Sequence, residues 1–247
     1  VANVNSNGFT IGFAFASCVI SGVLLASANL GLKDLQDENI KIDKQRSVLS
    51  SAGLIESGAS KAQIASWFDA SEGAPAMTAY IINTKTGAKD EAVSVDSFQK
   101  KPALYPDHQI VFECTKSGQE CLILPIVAKG LWGPMKGYVA LGKTGSDVLG
   151  ICFYDHKETP GLGAEVTEAW WTEQFTSDKG KKILKKAGDF SADSFVGITV
   201  NKGGLGSEGP HEVDGISGAT ITTKGVSEVL TETLRSTYAE FLKNRRS

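Results

Sequence analysis

The sequence predicts an α+β fold: a single membrane-spanning N-terminal helix followed by a mainly antiparallel sheet flanked by helices. Three observations carry that reading. No charged residue occurs before Lys33, and Phe9 to Leu32 is almost wholly apolar or small, long enough for the roughly 20 helical residues that cross a hydrocarbon core. From Thr78 to Tyr154, short β-branched and aromatic runs are separated by polar turns such as Thr84-Lys-Thr-Gly87 and Lys143-Thr-Gly-Ser146. From Thr222 to about Arg245, apolar residues recur at the helical period.

Residues 1–8 read as an N-terminal tail and residues 9–32 as the membrane helix. Gly12, Gly22 and scattered Ser and Ala suit close helix packing in lipid. Ala26-Ser27-Ala28 fits a signal-peptidase pattern, but the apolar run exceeds a typical signal core and no basic stretch is visible ahead of it, so an uncleaved anchor is expected. Lys33, Lys41, Lys44 and Arg46 are mixed with Asp34, Asp37, Glu38 and Asp43, which leaves the charge rule for orientation little to count. Residues 33–247 read as one folded domain. Its first part, 33–54, is a juxtamembrane helix with Leu35, Ile42 and Leu49 on one stripe.

Ser60 to Ala70 predicts a second helix, N-capped by Ser60, with Ile64, Trp67 and Phe68 inward. Strands are expected at Thr78–Asn83, Ile110–Cys114, Cys121–Val127, Gly137–Gly142, Val148–Tyr154 and Phe195–Val200. Glu165–Ala187 has helical composition, with Trp170, Trp171 and Phe175 at inward spacings. Cys114 and Cys121 flank a polar hairpin loop, where facing positions hold either a disulfide or two thiols. Cys152 reads as a buried strand residue. The three histidines are dispersed and no Cys/His cluster has zinc-ligand spacing, so no metal site is expected. A net charge of −3 leaves no electrostatic footprint for nucleic acid.

The most informative run is Asp214-Gly215-Ile216-Ser217-Gly218-Ala219-Thr220, just ahead of the last helix. Free backbone N–H groups, the helix dipole and glycine together seat a phosphate well, although a Ser/Gly turn that only caps a helix fits the spacing equally. Gly204-Leu-Gly206-Ser-Glu-Gly209 matches a dinucleotide fingerprint, but Pro210 follows it and no βαβ context surrounds it. The match is read as accidental, and no NADH site is expected in this chain.

The Asp214–Thr220 run closely resembles the attachment motif of the FMN-binding domain family, in which the motif threonine carries FMN through a phosphoester bond. Three further segments share the likeness: Pro125-Ile-Val-Ala-Lys-Gly-Leu-Trp-Gly133, Glu158-Thr-Pro-Gly-Leu-Gly163 and Lys202-Gly203-Gly204. Ala128 departs from the family, which usually has glycine there, and puts a methyl where the flavin edge or a tight turn is expected. The resemblance implies that residues 33–247 are an FMN-binding domain with covalent FMN on Thr220. Ser217, Gly218 and Ala219 would supply the turn and its donors, and Leu131, Trp132 and Leu162 the apolar walls. Glu158, Thr159 and backbone groups near Gly161 and Gly163 would address the ring's polar edge or the ribityl hydroxyls. Lys202 is either a charge near the flavin or a solvated loop lysine. Asp214 is either a recognition or metal-binding group during attachment or a turn cap. Thr222 and Thr223 are competing hydroxyls, and the motif selects Thr220.

Within this family, the anchor, Leu35 to Asn39, Asp43-Lys-Gln-Arg46 and Trp170-Trp171 most resemble the NqrC subfamily, the C subunits of Na+-translocating NADH:quinone reductases. That likeness implies an electron-relay subunit of a bacterial inner-membrane complex, single-pass, with its soluble domain on the periplasmic side. Its partners would be the other subunits, a flavin transferase for maturation, and the membrane. No catalytic acid, base or nucleophile is expected. The corresponding flavin-bearing subunit of Rnf-type electron-transport complexes is the alternative within the class. A non-redox, membrane-anchored module for a phosphoryl ligand is the alternative outside it.

Overall fold

The computed structural model describes residues 7–56, 58–69, 75–116, 119–203, 206 and 209–245. Most of the N-terminal tail, Ser117-Gly118 of the hairpin loop, and Gly204, Leu205, Ser207 and Glu208 of the fingerprint-like run lie outside the described residues.

Helix α1 is one uninterrupted element, Asn7–Ser51, so the anchor and the juxtamembrane helix are not separate. It is long and apolar enough to cross a membrane, with a mean hydropathy of 2.1 over its most apolar window. The chain forms two compact units, divided between Asp43 and Lys44. Within the second unit the last turns of α1 bury Val48 and Leu49, whereas Leu35 is exposed, so the expected stripe is buried only at its end. Helix α2 is Lys61–Ala65, shorter than expected, and starts at a complete capping box between Ser60 and Gln63. Of its expected inward residues Ile64 is buried, while Trp67 and Phe68 are half-buried.

Strands β1 (Met77–Asn83), β2 (His108–Lys116), β3 (Gln119–Lys129), β4 (Pro134–Gly142) and β5 (Val148–Asp155) form an antiparallel meander in chain order. Helix α3 (Val95–Lys100) lies in the β1–β2 connection. Period-two alternation sends Leu122, Leu124, Ile126 and Ala128 of β3 into the main core with Val139 and Leu141 of β4. Ala128 is therefore a core residue, 1% exposed, rather than a crowding methyl at a ligand edge. The opposite face of the sheet receives the end of α1. The Cys152 thiol donates to the Ser47 carbonyl at 3.3 Å, and burial pushes its pKa up to about 12. Cys114 and Cys121, paired in register across β2 and β3, are joined as a disulfide with Cα atoms 5.0 Å apart.

Two expectations need correction. Glu165–Ala187 is not one helix: it breaks into a 3₁₀ turn at Gly163–Thr167, the short helix α4 (Ala169–Thr172), and further 3₁₀ turns at Glu173–Phe175 and Ser177–Lys179. Trp171 and Phe175 are buried and pack with ring centroids 5.1 Å apart, but Trp170 is half exposed and its indole N–H donates to Glu165. The strand expected over Phe195–Val200 is only β6 (Thr199–Asn201), and it pairs in parallel with β7 (Glu212–Asp214), which the sequence does not announce.

The C-terminal helix starts at Thr220, two residues before the expected position. It runs as α5 (Thr220–Glu228), a π turn over Val229–Thr233, and α6 (Leu234–Asn244). Val226, Val229, Leu230, Leu234 and Tyr238 pack on the sheet. Gly225 brings α5 directly onto the Lys129 backbone, where any Cβ would overlap the Lys129 carbonyl.

Candidate cofactor site

The β3–β4 hairpin ends in the turn Gly130–Gly133, closed by Gly130 N–H donating to the Gly133 carbonyl at 2.8 Å. That turn puts Leu131 and Trp132 at the hairpin tip, 53% and 63% exposed. Exposure of two large apolar side chains on one tip is costly in water and marks a contact surface.

Glu158, just past β5, is buried behind this tip. One carboxylate oxygen accepts from Trp132 N–H at 2.8 Å, and the other from the Thr222 hydroxyl at 2.5 Å. Burial alone raises its pKa, but hydrogen bonds from the Thr222 hydroxyl and from the Trp132 and Leu131 backbone outweigh it and hold the carboxyl below the usual range. Each carboxylate oxygen thus accepts from a protein donor. Trp132 is pinned a second time, its indole N–H donating to the Thr159 hydroxyl at 3.1 Å. Thr159-Pro160-Gly161-Leu162 closes as a β-turn, with Gly161 at φ 75° where type II geometry calls for glycine. The turn throws Leu162 outward, and Gly163 then passes so close to Glu158 and Thr222 that no Cβ fits.

The Asp214–Thr220 run is held from behind. Gln174 exchanges two hydrogen bonds with the Asp214 backbone, at 2.7 and 3.2 Å, and the buried Trp171 indole donates to the same carbonyl at 2.9 Å. Neither residue is readable from the sequence as part of a site, because the contact spans some 40 positions and follows no local pattern. The Asp214 carboxylate accepts from Gly206 N–H at 2.9 Å, which ties the motif to that glycine. Gly203 packs against the backbone of Gly215 and Ser217, so exposed Lys202 flanks the motif.

Ile216 and Ala219 are buried, while Ser217 and Gly218 (φ 78°) are exposed. Ala219 caps α5 without any side-chain hydrogen bond, and its carbonyl accepts the first intrahelical bond from Thr223 N–H at 3.0 Å. The N–H groups of Thr220, Ile221 and Thr222 consequently have no partner among the described residues, at the positive end of a helix. The three hydroxyls are sharply different. Thr222 and Thr223 are buried and donate to Glu158 and to the Ala219 carbonyl, whereas Thr220 is exposed. Ile221, the next residue of α5, is 57% exposed, which the helical period does not reveal.

This arrangement fits FMN. A phosphate suits the uncapped helix start, and a flat apolar ring suits the ledge of exposed aliphatic and indole side chains. Among the described residues no group of His, Cys, Asp and Glu could hold a metal ion.

Residues 130–235, which hold the hairpin tip, the Thr159–Gly163 turn and the start of α5, match the family model of the FMN-binding domain. The C subunit of the Na+-translocating NADH-quinone reductase of Pseudomonas aeruginosa is 32% identical over 93% of this chain and 92% of its own length. Its Yersinia pestis counterpart is 31% identical over 91% and 87%. Among solved structures, the C subunit from Parabacteroides distasonis superposes with a TM-score of 0.67 at 30% identity, over 85% of this chain and 96% of that one. NqrC of Shewanella oneidensis gives 0.66 at 25% identity, over 84% and 99%. The chain belongs to the NqrC family, the C subunits of Na+-translocating NADH-quinone reductases.

Proposed function

We propose that this chain is the electron-relay subunit of a membrane Na+-translocating NADH:quinone reductase and carries FMN covalently through a phosphoester bond to Thr220. The observation that carries the site is the contrast among the threonines at the start of α5: Thr220 alone is exposed beside unpartnered helix N–H groups. Bound FMN supplies the redox chemistry, and the protein supplies position and electrostatics. The helix start neutralises the phosphate, the tether prevents loss of the cofactor, and the ledge of Leu131, Trp132, Leu162 and Ile221 supports the ring.

Helix α1 serves as a single-pass anchor in the bacterial inner membrane, with the folded domain on the periplasmic side. The Cys114–Cys121 disulfide supports that side, since such bonds persist in oxidising compartments. The other subunits of the complex act as electron donor and acceptor, and a flavin transferase installs the cofactor on the exposed motif.

Intact mass of the membrane-extracted chain, followed by peptide mapping, tests this reading. An FMN adduct on the peptide containing Thr220 is expected, along with flavin fluorescence that stays with the denatured chain on a gel. An unmodified chain, or an adduct retained in Thr220→Ala, overturns the assignment.

A further inference from the structure

Glu158 ties together three segments that are remote in sequence: the Leu131–Trp132 hairpin tip, the Thr159–Gly163 turn and the first turn of α5. It is 6% exposed, and both of its carboxylate oxygens carry protein hydrogen bonds. Gly130 and Gly163 close around it. A Cβ on Gly130 would come within 2.5 Å of one oxygen, and one on Gly163 within 2.7 Å of the Thr222 hydroxyl. Thr222 sits two positions after Thr220, so the bond from Glu158 to Thr222 fixes the turn that bears the tether relative to the wall that bears the ring.

We propose that Glu158 and Thr222 are positioning residues, a buried lock that sets the distance between the flavin's attachment point and its Trp132 wall, and that neither touches the flavin. This rests on the reading of Thr220 as the tether. The chemistry of the lock gives it a distinctive substitution pattern. A carboxylate only accepts. The amide introduced by Glu158→Gln accepts through oxygen from the Leu131–Trp132 backbone and donates through nitrogen to the Thr222 hydroxyl, which accepts as readily as it donates. Glu158→Gln therefore keeps the lock while removing its charge. Thr222→Val leaves a buried carboxylate oxygen short of a donor, and Thr222→Ser restores that donor.

The test uses the full-length chain. Wild type is first checked for covalent flavin on a denaturing gel, and absence of flavin there refutes the tether reading without touching the lock. In loaded protein, iodide quenching of flavin emission is measured for Glu158→Ala, Glu158→Gln, Thr222→Val and Thr222→Ser. Quenching is expected to rise several-fold in Glu158→Ala and Thr222→Val and to stay near wild type in Glu158→Gln and Thr222→Ser. Amide hydrogen exchange at Leu131 and Trp132 is followed in flavin-free Thr220→Ala carrying the same second substitutions, and the same ranking is expected there. This readout keeps the lock testable should a variant fail to load. If Glu158→Gln behaves like Glu158→Ala, or if Thr222→Val leaves both quenching and exchange unchanged, the lock is wrong. A shift of the flavin midpoint potential in Glu158→Gln with unchanged quenching also overturns it, because that outcome makes the charge, not the position, the function.

Discussion

Two surfaces of the folded domain differ in how their polar groups are occupied. One cavity, of about 790 Å³, lies between Tyr80, Lys89, Glu113, Glu120, Lys143 and Arg245. Its polar groups are largely spent on one another: Arg245 pairs with Glu113 and Lys143 with Glu120, the Tyr80 hydroxyl donates to Glu113, and the Lys89 ammonium lies over the Tyr80 ring. The region around Thr220 instead exposes Leu131, Trp132, Leu162 and Ile221, together with three helix N–H groups that have no partner among the described residues. A flavin ring needs apolar contact and its phosphate needs donors, which is why the surface around Thr220 is the one proposed as the site.

That comparison breaks most directly at the tether. Thr220→Ala is expected to abolish covalent flavin completely, while Arg245→Ala in the cleft leaves it untouched; in-gel fluorescence reads both. Next in size is Gly225→Ala, whose methyl would overlap the Lys129 carbonyl. Forcing α5 off β3 should cost about 1–3 kcal/mol, visible as a lower denaturation midpoint, and should loosen flavin packing with it. Trp132→Ala removes a wall but not the tether. Loading should persist while flavin emission brightens, with a loss of about 1 kcal/mol in ring packing.

A subtler effect follows from Glu158. Its carboxyl titrates below the usual range in the folded state, so its contribution to stability is present above the ordinary carboxylate pKa and disappears as pH falls through the lower folded value. Thermal melts of wild type and Glu158→Gln should differ at neutral pH and converge on acidification; a gap that does not change with pH would show that the carboxylate is not held in its charged form. Smallest is Arg245→Ala itself. Both partners of its ion pair with Glu113 are about one-fifth exposed, so a loss near 1 kcal/mol is expected in melting, with no change in flavin quenching.

Much of this was legible in the chain. Five strands of the meander follow from alternation, and the α5–α6 stripe from its period. The ledge residues Leu131, Trp132 and Leu162 lie in short motifs whose glycines and proline impose local turns. What was not legible has a common cause. Residues 163–179 carry helix-forming side chains, but Trp171 and Gln174 bend to reach the Asp214 backbone some 40 positions away, and the segment breaks into 3₁₀ turns to allow it. Strand β7 is three residues long and exists only because β6 lies alongside.

By itself the sequence determined the apolar N-terminal helix, the antiparallel sheet, and the small-residue run that opens the last helix, because hydrophobic period, turn residues and backbone freedom act over a few residues. Tertiary structure alone decided which threonine faces solvent, which carboxylate is consumed as a lock, and that Ala128 belongs to the core. Those outcomes depend on burial and on hydrogen bonds between distant segments, and neither exists until the chain has folded.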